Sequence, residues 1–209
     1  MRLSETYYSL SGEGVHAGVP AQIVRLQGCN LRCSWCDTPY AQDPDGGRDV
    51  RVDTLLATTE WPGWALITGG EPLLQEADVL ALVLGLARLG VSVEIETNGS
   101  FAPPIWWERV TSWNADIKCP SSGMVGKSRL EWLYLRPCDQ AKFVVADDAD
   151  LAYVALTLSS RPATVTVLVS PVYPWTTGWL QTCAKFCKAH RVRLSLQQHK
   201  IIYGDRRGV

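Results

Sequence analysis

An excess charge of either sign is nearly absent: 20 lysines and arginines meet 21 aspartates and glutamates, for a formal charge of -1. That balance leaves no basic face for nucleic acid or for an anionic membrane, and it favours a small-molecule partner. No long hydrophobic run occurs either. The longest, VLALVLGLARLG, is too short and too closely flanked by polar residues to span a bilayer. The opening MRLSETYYSLSGEG has no apolar signal-peptide core, so a cytoplasmic protein is expected. Repeats, linkers and low-complexity stretches are missing, and residues 1–209 are read as a single domain, large enough to be stable without disulfide or metal staples. Histidine is scarce, with His16 alone in the first half of the chain. Cysteine lacks an even count. Seven thiols in a reducing compartment argue against disulfides, and three crowded at 29, 33 and 36 point to a metal.

What is present is an alternation of short apolar runs and helical patterns, the mark of β-α units around a parallel sheet. Strands are predicted at 21–27, 64–68, 91–97, 112–118, 141–146, 164–170 and 192–198. Asp53 would cap a short helix over 54–60, QEADVLALVLGLARLG gives a longer helix closed by Gly90, and DADLAYVALTL and TGWLQTCAKFCKAH give two more. The expected fold class is α/β, a partial or modified (β/α) barrel. Every unusual polar stretch follows the C-terminal end of a strand, where parallel β/α folds gather one ligand-binding rim. Within 91–97, Ser92, Glu94 and Glu96 share one face. Carboxylates on a covered parallel strand need polar partners, which implies a polar lumen; a solvated edge strand is the alternative.

GCNLRCSWCDTPY, residues 28–40, holds the chemistry. Soft thiolates at this spacing suit zinc or an iron-sulfur cluster. A structural zinc site closes with four protein ligands, and only three are at hand. In a [4Fe-4S] cluster, Cys29, Cys33 and Cys36 would hold three irons and leave the fourth open to a small molecule. The remaining cysteines carry no recognisable ligand set: Cys183 and Cys187 lie one turn apart on a helix and are read as core, and Cys119 and Cys138 as isolated thiols.

The CX3CX2C loop after the first strand, followed by GGEP (69–72) after the next, resembles the radical S-adenosylmethionine superfamily. The resemblance implies that S-adenosylmethionine chelates the open iron and yields a 5'-deoxyadenosyl radical on reduction by a protein such as a flavodoxin or ferredoxin. Gly69 and Gly70 would let the backbone approach the methionine end, and Trp35 would lie against adenine.

SLSGEG (9–14), VRLQGCNLRCSWCDTPY (24–40), IETNGS (95–100) with KCPSSGM (118–124), and LQQHK (196–200) narrow the likeness to the 7-carboxy-7-deazaguanine synthase family. This likeness extends over nearly the whole chain. It implies conversion of 6-carboxy-5,6,7,8-tetrahydropterin to 7-carboxy-7-deazaguanine with loss of ammonia, with Mg2+ as a further cofactor on Thr38. Carried over residue by residue, the family pattern places Trp35, Cys36, Asp37, Gly70, Asp116, Ile117, Lys118 and Ser170 at S-adenosylmethionine. It places Leu10, Ser11, Gly12, Glu13, Arg25, Thr68, His199 and the terminal Val209 at the pterin. A carboxylate such as Glu13 can accept the pterin's paired N-H and amino donors, and Arg25 or His199 can meet its carboxylate. A homodimer is compatible with such an enzyme. Two rivals stand beside this reading: a glycyl-radical activating enzyme, which would lack CDT, SGEG and the terminal His-Lys pair, and a noncatalytic iron-sulfur or zinc protein, for which GGEP has no use.

Overall fold

The computed structural model describes residues 1–209. All nine strands join one sheet in the order β3-β1-β2-β4-β5-β6-β7-β8-β9. These are β1 Arg2–Leu10, β2 Pro20–Leu26, β3 Arg48–Asp49, β4 Trp64–Gly69, β5 Ser92–Thr97, β6 Ser112–Ile117, β7 Gln140–Val145, β8 Thr166–Pro171 and β9 Arg193–Leu194. From β2 onward every neighbour is parallel. β1 and β3 close one edge antiparallel. The helices are α1 Val52–Thr58, α2 Glu76–Arg88, α3 Asp148–Ser160, α4 Thr177–His190 and α5 Gln198–Tyr203. The sheet is not closed by strand pairing, so the architecture is the expected partial barrel.

Alternation along each strand separates two environments. One face, with Ile67, Ile95, Phe143 and Val169, packs into the main core. That core also takes in Cys183 and Cys187 from α4, which fits their reading as packing residues. The β5–β6 and β6–β7 connections carry only 3-10 turns, and three tryptophans fill the space: Trp113 packs between Trp106 and Trp132, with ring centroids 5.6 and 5.1 Å away.

The opposite face combines a small apolar patch at Ala21, Ile23 and Leu66 with buried polar side chains. Register places Thr68, Glu96, Asn114 and Gln140 in one tier across β4 to β7, since Glu96 pairs with Asn114 and Asn114 with Gln140, while Asp116 and Lys142 sit in the tier above. β5 is central, so the edge-strand alternative for Glu94 and Glu96 is excluded. Glu94 is fully buried and is matched by the His16 imidazole and the Gln140 amide, the latter at 3.0 Å. Without those partners its burial would cost several kcal/mol.

The gap in the barrel is filled by chain rather than by strand. Residues 11–18 fold into it, with Val15 N-H donating to Gln140 Oε1 and Gly14 N-H to Ser195 Oγ. This explains one difference from the sequence-based expectation. A strand over 192–198 is predicted, but pairing stops after Arg193–Leu194, because Gln198 N-H turns to Gly12 O at 2.8 Å and starts α5. Two further differences occur near the N-terminus. β1 was not anticipated, and Asp53 lies inside α1 rather than capping it: the helix starts at Val52 behind Arg51, with no side-chain cap. No helix is long and apolar enough to cross a membrane.

Candidate active site

A cavity of about 850 Å³ opens at the C-terminal ends of the parallel strands. Cys29, Cys33 and Cys36 line it from the loop after β2. Glu71, the acid of GGEP, is fully buried beneath that loop and accepts hydrogen bonds from Leu73 N (2.9 Å), Thr97 Oγ1 (2.8 Å) and Asn98 N (2.6 Å). It therefore starts a short turn and ties the end of β4 to the end of β5, rather than facing a ligand. Burial pushes its carboxyl up to about 7, against those three donors. The glycine pair meets a need that the sequence did not disclose. A Cβ on Gly69 would come within 2.5 Å of the Leu26 backbone, and one on Gly70 within 2.6 Å of the carbonyls of Gly28 and Ala41. Both glycines let the two loops touch, whatever else they contact.

The donor set suits a cluster. The Asn98 amide approaches Cys29 Sγ at 3.6 Å, and Leu31 N lies 3.4 Å from it, donors of the kind that orient a ligating sulfur. Cys29, Cys33 and Cys36 are the three cysteines that line the cavity, the donor number of a cluster with one iron left open.

Beside the cysteines, Trp35 lines the cavity with its indole N-H on Ser121 Oγ (3.0 Å) and the Lys118 ammonium 5.4 Å from its ring centre. Lys118 is only 5% exposed and pairs with Asp116 Oδ2 at 2.6 Å. Burial opposes both charges, but each partner outweighs it, so the lysine titrates above its ordinary range and the aspartate below it. Thr38 faces the cavity 3.8 Å from Cys36 Sγ. Asp37, although it reaches solvent inside the cavity, is held down at about 2: burial opposes its charge, and His199, 3.8 Å away, prevails together with Lys200 and Arg25.

The other half of the cavity gathers the expected pterin residues. Glu13 accepts from Gln197 Nε2 at 2.9 Å and pairs with the Lys142 ammonium. Arg25 reaches in from β2, its guanidinium on Glu5 (2.9 Å) and the Tyr7 hydroxyl (3.1 Å). His199 stands against Gly12, where a Cβ would lie 2.2 Å from Nδ1. Leu10, Thr68 and Val209 also line the wall.

Three expected residues lie elsewhere. Ile117 packs into the core, as alternation on β6 requires when Asp116 and Lys118 face the lumen. Ser11 is fully buried outside the lining, its backbone spent on Val19 and Gly18 within its own loop. Ser170 is buried outside the lining, its hydroxyl without a partner, while Val172, Tyr173 and Pro174 just beyond it face the cavity. Sequence reasoning missed Lys142, Gln197, Tyr40 and Glu5. A lysine alternating with apolar residues on a central parallel strand was the available sign for Lys142.

Fold and site together describe an α/β barrel enzyme with a three-cysteine cluster at its rim. Residues 10–100 match a family model described as a 4Fe-4S single cluster domain. The chain is 39% identical over 206 residues to 7-carboxy-7-deazaguanine synthase of Methanospirillum hungatei, covering 97% of this chain and 85% of that protein. It is 34% identical to the same enzyme of Thermoplasma acidophilum over the whole of both. The fold resembles the crystal structure of QueE from Escherichia coli, with a TM-score of 0.72 at 24% identity over 95% of this chain and 94% of that one. The chain belongs to the 7-carboxy-7-deazaguanine synthase family.

Proposed function

We propose that this chain converts 6-carboxy-5,6,7,8-tetrahydropterin to 7-carboxy-7-deazaguanine and ammonia, with residues 1–209 acting as one catalytic unit. The observation that carries the reading is a single cavity in which three unpaired cysteines on one wall face a carboxylate, an arginine and a histidine on the other. When bound, a [4Fe-4S] cluster and S-adenosylmethionine supply a hydrogen-abstracting carbon radical. Cys29, Cys33 and Cys36 hold the cluster; Trp35, Asp37, Asp116 and Lys118 surround the nucleoside. Glu13, paired with Lys142 and aimed by Gln197, takes the two donors of the pterin's amino-amide edge. Arg25 and His199 take its carboxylate, and Thr38 offers a hydroxyl to Mg2+, which binds through few protein ligands and keeps waters. α5 and the tail through Val209 border the cavity and help to exclude water from the reacting carbon.

Seven unpaired cysteines suit a reducing cytoplasm, where a flavodoxin- or ferredoxin-type protein would deliver the electron. Anaerobic protein given the pterin, S-adenosylmethionine and a reductant tests the reading by mass spectrometry. Appearance of the deazapurine supports it, and consumption of S-adenosylmethionine without that product refutes it.

A further inference from the structure

Lys142 sits mid-strand on β7, in a parallel strand whose other lumen-facing neighbours are uncharged, and it is 6% exposed. A buried ammonium with one partner is costly; this one has several. Its Nζ is paired with Glu13 Oε2 and stands 3.3 Å from Asp116 Oδ1. Glu96 faces it from β5, and Lys118 meets the other oxygen of Asp116. Burial opposes the charge on Lys142, but Asp116, Glu13 and Glu96 outweigh it and keep the amine protonated well above its ordinary range. Beyond Glu13, the facing groups are Gln197, His199 and Asp37.

One nitrogen thus touches a carboxylate on each side of the cavity. Glu13 lies on the pterin side and Asp116 on the nucleoside side. We propose that Lys142 is a positioning residue that fixes Glu13 and Asp116 relative to each other, so that filling either subsite tightens the other. The role rests on the reaction assigned above. It is also asymmetric. Asp116 keeps Lys118 when Lys142 is lost, whereas Glu13 has no other lysine or arginine paired with it. Removing Lys142 should therefore harm the pterin subsite more than the nucleoside subsite. Glu13 would face Glu96 and Asp116 with one cation fewer, and would swing away from the position in which both of its oxygens can accept from the pterin.

The test is titration calorimetry on the anaerobic, cluster-loaded full chain, with pterin and S-adenosylmethionine each titrated alone and in the presence of the other. For Lys142→Met the expected result is pterin binding weakened at least tenfold, S-adenosylmethionine binding weakened about threefold, and the mutual tightening reduced toward none. In a Glu13→Gln background, Lys142→Met should cost less than a further threefold, because the contact is already broken. A purely structural lysine would lower the melting temperature and iron content and weaken both ligands by factors that multiply with those of Glu13→Gln. Should Lys142→Met not fold, Lys142→Gln, which keeps a donor without the charge, carries the same cycle. Pterin affinity within twofold of wild type, or multiplying penalties, overturns the role while leaving the reaction assignment intact. A wild-type chain that neither binds nor consumes the pterin removes the reaction assignment and this role with it.

Discussion

Gly12→Ala isolates the pterin subsite from the fold. The backbone of Gly12 is not in the left-handed region, so alanine is not strained there, and the nearest obstacle is His199, whose Nδ1 would lie 2.2 Å from the new Cβ. Ordinary contact requires the imidazole to retreat by about 1 Å. His199 lies in the first turn of α5, which is anchored by Gln198 N-H on Gly12 O, so the retreat pulls on that bond and on the 3.8 Å approach of His199 to Asp37. Displacement of a substrate-positioning group by about 1 Å costs on the order of 100-fold in rate. The expected outcome is a fall of about that size in kcat/KM for the pterin, with iron content unchanged and the melting temperature within a few degrees. Steady-state kinetics, iron counting and thermal melting on the same preparation check it. Kinetics within threefold of wild type would show that His199 does not position substrate.

Cys33→Ala should abolish both bound iron and turnover, whereas Cys187→Ala, a core change, should leave both intact; iron counting on anaerobic protein separates the cases. Thr38→Ala should weaken the stimulation of turnover by Mg2+, and an unchanged metal titration would remove that hydroxyl from the ligand set. Burial raises Glu71 and Glu96 to about 7, so the folded state holds protons that the unfolded chain releases above about pH 4.5. Their contribution is therefore present below about pH 4.5 and lost as pH rises through about 7. For Glu71 the loss is on the order of 3 kcal/mol. Denaturant melts from pH 4.5 to 8 should show the decline, and Glu71→Gln should flatten it; an unaltered slope would contradict the assigned cause.

Much of this was legible because periodicity reports burial. The alternation of Val93 and Ile95 with Glu94 and Glu96 revealed a strand with one polar covered face, and β5 is central with that face turned to the lumen. The cysteine spacing was equally readable, since ligand chemistry is set by residue type. Features that depend on distant partners were hidden. β1 carries an irregular register against β2 and mixes Glu5, Tyr7 and Ser9 on its lumen face, so it lacks a clean apolar pattern. The turn at Gln198 is imposed by Gly12, 186 residues earlier in the chain, and no local propensity announces it. Gly69 and Gly70 also make room for Leu26, Gly28 and Ala41, a need that no local pattern announces. The family pattern places Ile117 at the cofactor with Asp116 and Lys118, although alternation alone turns its side chain to the core.

The central claim is that three thiolates carry an iron-sulfur centre with one corner free for S-adenosylmethionine. Iron content and 5'-deoxyadenosine release, measured together on reduced, oxygen-free protein, test it most directly. About four irons per chain and cleavage that depends on all three of Cys29, Cys33 and Cys36 are expected. Protein that stays iron-free after reconstitution, or binds iron and never releases 5'-deoxyadenosine, would contradict it.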